Sequence, residues 1–124
     1  MKTIPKISDA ELEVMKILWE LGSATSTQIV DRLIETTDWK PKTIHTLIAR
    51  LVSKKAINAE KIDGKSYMYL PNISEDEYKS YANKSFLQKL YKGSFNLMVS
   101  TFIKEQKLSK EEIDELRKLL DKEV

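Results

Sequence analysis

The sequence predicts a mainly α chain with a small β wing: a winged helix-turn-helix over residues 1–72, followed by a three-helix C-terminal domain over 73–124. Three observations predict it. A serine three residues before a glutamate marks a helix start three times. Three helical segments crowd into the first 55 residues, and an Asp-Gly pair then separates two short alternating runs. At 124 residues the chain has room for one ordinary domain or a small domain with an appendage.

The capping signals are Ser8…Glu11, Ser74…Glu77 and Ser109…Glu112. In S-x-x-E the two side chains reciprocally satisfy the first free backbone N–H groups of a helix. Each pair is bracketed by apolar residues placed for a hydrophobic staple: Ile7/Leu12, Ile73/Tyr78 and Leu108/Ile113. The first helix should run from about Asp9 to Leu21, with Leu12, Met15, Ile17, Leu18 and Trp19 on its apolar side and Gly22 ending it. The second starts near Ser26 or Thr27 and ends about Thr36, burying Ile29, Val30, Leu33 and Ile34. After a polar turn, Pro41 opens the third helix at its first position, where a missing N–H costs nothing. Lys40 before it is a poor cap, which leaves donors that an anion could satisfy.

That third helix carries the most informative stretch, 40-KPKTIHTLIARLVSKK-55. Ile44, Leu47, Ile48 and Leu51 recur at helical spacing, so one face is buried. The opposite stripe is centred on Lys42, Thr46, Ala49 and Ser53, with His45 and Arg50 on its flanks. A solvated helix would more often alternate Glu with Lys. Short residues flanked by cations suit a helix pressed against something anionic. From Lys40 to Lys65 seven Lys or Arg face only Glu60 and Asp63, whereas residues 71–124 balance ten against ten.

The run 57-INAEKIDGKSYMYL-70 reads as a hairpin with a two-residue Asp-Gly turn, and it forms the wing. The third helix is then the recognition helix of a winged helix-turn-helix DNA-binding domain. Lys42 and Thr43 in its first turn are placed for phosphates or outer base edges, and Thr46 for a base edge or a thymine methyl. Arg50 and Lys54 lie further along, for the DNA backbone, and Lys61, Lys65 and Tyr67 belong to the wing. Tyr67 and Tyr69 share one face of the strand and are read as packing on the helix.

Three more helices follow, at about Glu75–Tyr91, Ser94–Lys104 and Lys110–Lys122. Three short helices of about fifty residues form a poor core alone. A second copy of the chain would supply the missing surface, packing Leu116, Leu119 and Leu120 against the partner's Phe95, Val99 and Phe102. The expectation is a C-terminal three-helix dimerisation domain, since two-fold symmetry suits a reader of two DNA half-sites.

Other functions lack their chemistry. With no Cys, disulfide frameworks, thiolate metal sites and Cys nucleophiles are excluded. No nucleophile–base pair, metal cluster or phosphate loop is visible, so no enzyme, cofactor or metal is expected. His45 is the lone histidine, with no acid or Cys cluster beside it, and is read as either a DNA contact or a surface or packing residue. The start MKTIPKISDAE has no apolar signal core, and no apolar run reaches transmembrane length, so a cytoplasmic protein without membrane insertion is expected. A winged helix used only for protein contacts is the competing reading.

Four stretches carry a family resemblance: 7-ISDAELEVMKILW-19, 38-DWKPKTIHTLIARL-51, 85-SFLQKLYKGSFN-96 and 108-LSKEEIDELRKLL-120. In order and spacing the chain resembles the penicillinase and methicillin-resistance repressors, the BlaI/MecI family, over essentially its whole length. The resemblance implies a homodimeric repressor of β-lactam resistance genes that binds double-stranded operators with TACA/TGTA half-sites. It implies release after proteolysis in the C-terminal half, triggered by a membrane β-lactam sensor. Relatives that sense copper do so through C-terminal Cys pairs, which this chain lacks. The chain departs from the pattern at Lys40, where the family usually has a capping residue, and at His45, where it commonly has Arg or Gln. The family's scissile Asn-Phe bond corresponds to Thr101-Phe102, where Phe102 is expected on a shielded apolar face.

Overall fold

The structure, a computed structural model, describes residues 3–122. The chain order is α1 (Asp9–Leu21), α2 (Ser26–Thr36), α3 (Pro41–Ser53), β1 (Ile57–Lys61), β2 (Tyr67–Pro71), α4 (Glu75–Tyr91), α5 (Phe95–Glu105) and α6 (Lys110–Lys122). The fold is thus mainly helical with a two-stranded antiparallel sheet.

All three serine–glutamate boxes form, with both reciprocal hydrogen bonds at Ser8/Glu11, Ser74/Glu77 and Ser109/Glu112. A fourth box is Thr25/Gln28, which caps α2 one residue before the expected start. Gly22 closes α1 with φ of 83°, and its N–H donates to the Leu18 carbonyl at 2.7 Å. Once capped, the helices bury one face each. Val14, Met15, Ile17 and Leu18 of α1, Ile29, Val30 and Leu33 of α2, and Ile44, Leu47, Ile48 and Leu51 of α3 form one core with Ala24, Ala56, Ile57 and Ile73. Ile34 lies outside it, at 45% exposure, because its position on α2 is turned past the edge of the buried face.

The hairpin differs from its expected form. β1 and β2 pair from Ile57↔Pro71 to Lys61↔Tyr67, and the Ile62 N–H continues the ladder to the Ser66 carbonyl. The loop is therefore Asp63-Gly64-Lys65, one residue longer than an Asp-Gly turn. A two-residue I′ turn needs positive φ at both central positions, which neither Asp63 nor Gly64 adopts. Instead the Asp63 carboxylate accepts the Lys65 and Ser66 N–H groups, both at 2.9 Å, as an Asx turn. Those two N–H groups hold the carboxyl below its usual range. A further two-way bridge joins Ala24 to Tyr69, tethering the wing to the α1–α2 turn.

The chain divides into two compact units, one ending at Tyr81 and one starting at Ala82. This break falls later than residue 72, because Ile73 is buried in the N-terminal core and Trp19 holds the start of α4. The Trp19 indole donates to the Ile73 carbonyl at 2.8 Å and tilts against Tyr78, ring centres 5.7 Å apart. In the C-terminal unit, Phe86 and Tyr91 pack at 5.9 Å, and Phe86, Leu87, Phe95 and Met98 line a groove of about 290 Å³. Among the described residues, none in α4, α5 or α6 is buried.

Lys55 ends α3 in the left-handed region, at φ of 64°. Its N–H donates to Val52 and that of Ala56 to Leu51, the paired bonds of a Schellman closure. Glycine occupies that conformation without the Cβ penalty. Lys55→Gly should therefore stabilise the protein by about 0.5–1 kcal/mol, read as a raised denaturation midpoint at unchanged m-value.

Candidate nucleic-acid interface

The interface begins with α3. Its buried stripe turns Lys42, Thr43, His45, Thr46, Ala49, Arg50 and Ser53 outward, and all seven are exposed. The centre of that face is short, so a flat or convex surface can approach the helix closely. Lys40 makes no side-chain cap and Pro41 has no N–H to offer. The first intrahelical bond is from Ile44 to Lys40, at 3.2 Å, so the Lys42 and Thr43 N–H groups face outward without an intrahelical acceptor. With the positive end of the helix dipole behind them, these groups favour an anion. Thr46 donates its hydroxyl proton back to the Lys42 carbonyl at 3.0 Å, which holds its side-chain rotamer and leaves the oxygen lone pair and methyl outward. Arg50 is exposed and makes no ion pair among the described residues.

The wing stands beside this face. His45, Ile48, Ala49 and Val52 of α3 and Ala59, Tyr67 and Tyr69 of the wing line a cleft of about 260 Å³. The two tyrosines thus share the face toward α3, with Tyr69 half-buried and Tyr67 exposed at its rim. Lys61 and Lys65 are both exposed, Lys65 at the tip ordered by Asp63. Seven of the eight cations and polar groups expected at the interface therefore belong to one outer face of α3 and the adjoining wing.

Lys54 is the exception. Its ammonium turns back to the fold, donating to the Glu11 carboxylate at 2.6 Å and to the Lys6 carbonyl at 2.8 Å. Glu11 is 2% exposed and also accepts the Ser8 N–H at 2.8 Å as part of its capping box. An ammonium so engaged is not free for the backbone contact expected of it. Lys54 continues the Ile44–Leu47–Leu51 spacing by another three residues, and that inward phase was the available signal. The acceptor is 43 residues away and no local pattern points to it.

Among the described residues no group of three or more metal-ligating side chains gathers, and no helix is long and apolar enough to cross a membrane.

Known proteins resemble this chain in sequence and in the fold of its N-terminal part. The family model for the penicillinase repressor matches residues 7–122. The chain is 45% identical over 121 residues to the penicillinase repressor of Bacillus licheniformis, covering 98% of this chain and 94% of that protein. It is 42% identical over 117 residues to the methicillin resistance regulatory protein MecI of Staphylococcus aureus, covering 94% of each. Two solution structures match at a TM-score of 0.55 and 47% identity, covering 63% of this chain and 94% of theirs. One is the DNA-binding domain of the repressor BlaI, and the other is monomeric Bacillus licheniformis BlaI in complex with the blaP half-operator.

Glu11 gives the unit a distinct acid response. Burial, the largest influence, pushes its carboxyl up, but the Lys54 ammonium and the Ser8 N–H outweigh it and bring it below its ordinary 4.5. A carboxyl that ionises more readily folded than unfolded adds stability that is complete above the ordinary value and lost as pH falls through the depressed one. Glu11→Gln should cost about 1–3 kcal/mol at neutral pH, and its stability should fall less steeply than the parent's below about pH 5, in denaturant melts run across pH.

Proposed function

The chain belongs to the penicillinase repressor family, and on that premise we propose that it is a homodimeric transcriptional repressor of β-lactam resistance genes. It reads palindromic operators with TACA/TGTA half-sites and is released by cleavage in its C-terminal half. The observation that carries the DNA reading is the outer face of α3: a short, uncapped, acid-free stripe flanked by cations, beside a wing that exposes Lys61 and Lys65. Such a face suits the major groove, with the wing over neighbouring backbone or minor groove. That a 47% identical domain is found in complex with a half-operator supports the DNA reading.

Roles divide along the helix. Lys42 and Thr43 offer N–H groups and side chains to phosphate, and Thr46 presents a methyl and an acceptor to a base edge. His45 lies between that stripe and the wing cleft and reads an adjoining base or phosphate. Arg50, Lys61 and Lys65 contribute charge to the backbone.

Dimerisation rests on the apolar faces of α5 and α6. In one chain Phe95 is 53%, Phe102 61%, Leu119 61% and Leu120 50% exposed, with Val99 and Leu116 half-buried between them. Phe102 is thus open in the single chain, and only a partner could shield it. Covering these side chains gains roughly 1.5–3 kcal/mol for each one fully buried. Cutting at Thr101-Phe102 would remove α6 and most of that surface. The fragment keeps α3 and the wing but contacts one half-site at a time, losing the affinity gained by coupling two. Induction then requires no change in the DNA-contacting residues.

Gel shifts against a TACA/TGTA palindrome test the DNA reading, and a protein that binds no DNA would leave a winged helix used for protein contacts. Thr46→Ala should relax operator preference by about 1–3 kcal/mol, whereas Arg50→Ala or Lys65→Ala should weaken all duplexes alike and lower the salt slope by about one unit. A slope change at Thr46 and a preference change at Arg50 would reverse the assignments.

Leu119→Asp, and a chain ended at Thr101, should both sediment as monomers at micromolar concentration, keep half-site binding and lose most of the full-operator affinity. Intact mass in protein recovered from fully derepressed, β-lactam-treated cells would remove proteolysis from the mechanism.

A further inference from the structure

The Lys54–Glu11 pair is the one ion pair of the N-terminal unit, among the described residues, with a buried member. It joins the last turn of α3 to the first turn of α1. The other three among the described residues of this unit, Lys16–Glu13, Arg32–Glu20 and Lys79–Glu75, are exposed on both sides. Lys54 is the C-cap residue of α3, and its ammonium bridges a carboxylate on α1 and a backbone carbonyl of the segment before α1. Glu11 is itself held at the helix start by the Ser8 N–H. Both ends of the bridge are thereby anchored to backbone.

We propose that Lys54 is a positioning residue for operator reading: the Glu11 carboxylate and the Lys6 carbonyl hold it, so that it sets the angle of α3 and acts on DNA without touching it. The inference rests on α3 being the DNA-reading helix. Its physical basis is leverage. The Lys54 end is the fixed end, and the uncapped Lys42–Thr46 end must meet base edges and phosphates. A 13-residue helix is about 20 Å long, so a tilt of roughly 5° at Lys54 moves the first turn by about 1.7 Å. That exceeds the tolerance of a hydrogen bond to a base edge, while a mobile cation over a phosphate still makes its contact. Loosening the latch should therefore cost specific binding more than non-specific binding.

Charge makes the test decisive, because the two partners have opposite signs. A lysine on a phosphate contributes about one unit to the salt slope, and losing a nearby carboxylate should strengthen DNA binding. A positioning lysine contributes nothing to the slope, and losing its carboxylate should weaken specific binding. The full-length protein is titrated, over a range of salt, with a duplex bearing TACA/TGTA half-sites and with the same duplex scrambled. In Lys54→Met and in Glu11→Gln, affinity for the half-site duplex is expected to fall roughly tenfold with scrambled binding and salt slope nearly unchanged. Lys54→Arg should recover most of the loss, since it restores the ion pair. A Lys54→Met protein that loses about one unit of slope and weakens equally on both duplexes overturns the proposal, as does a Glu11→Gln protein that binds the operator as well as its parent or better. Should Glu11→Gln fail to fold, the slope of Lys54→Met, altered at a partly exposed position, decides alone. If the parent does not distinguish the two duplexes, the repressor reading fails. Amide exchange of the free protein then judges the latch: faster exchange in the last turn of α3 in Lys54→Met keeps it, and unchanged exchange removes it.

Discussion

The constraint on which the N-terminal unit depends is that α3 must be immobile on one side and bare on the other. Ile44, Leu47, Ile48 and Leu51 are each no more than 5% exposed, and they meet side chains from α1, α2 and β1. Because the interior is close-packed, the stripe fixes the rotation of the helix about its own axis, and hence which residues face outward. The outer stripe of Lys42, Thr46, Ala49 and Ser53 follows from the inner one without any further interaction. Rotation is not tilt, however. Tilt depends on what holds the helix ends, and the two ends of α3 are held unequally: Lys54 and the Schellman closure at one, a bare Lys40 cap at the other.

The same asymmetry explains the weak cap. Four other helices are capped by reciprocal side-chain bonds, at Ser8, Thr25, Ser74 and Ser109, and α5 by the Ser94 hydroxyl alone. At α3 a side-chain oxygen would occupy the N–H groups that an anion can use. A local stability cost of about 1 kcal/mol at Lys40 is consistent with reserving them. The wing shows the complementary arrangement, since its tip is ordered internally by Asp63, leaving Lys65 outward.

The C-terminal unit follows a different logic. Its helices are well capped and regular, yet among the described residues none of them buries a side chain fully. Local chemistry is enough to build helices here but not to build a core, because three short helices enclose too little volume. Exposed Phe, Leu and Ile faces on regular helices suit an interaction surface such as the dimer interface proposed above. If stability and DNA affinity both draw on that surface, one cut there changes both, which gives the repressor reading its economy.

What the sequence by itself determined was whatever acts within one or two helical turns. Box chemistry at Ser8, Ser74 and Ser109, the Gly22 stop, Pro41 at the head of α3 and the Ile44–Leu51 stripe are local, so helix limits and the outward face of α3 were legible from spacing. The tertiary structure alone decided the rest. Asp63 took its neighbours' N–H groups and lengthened the wing loop, a choice between two local minima that spacing cannot rank. Ala24 bridged Tyr69, and Trp19 drew Ile73 and Tyr78 into the first unit, because packing brought distant backbone groups within reach. Lys54, expected at the DNA, is instead engaged by a buried carboxylate for the same reason. Its charge and position were visible in the chain, but its partner, Glu11, is near only after α1 and α3 have packed. An ammonium beside a buried carboxylate stays there, because separation would leave that charge unpaired in the protein interior.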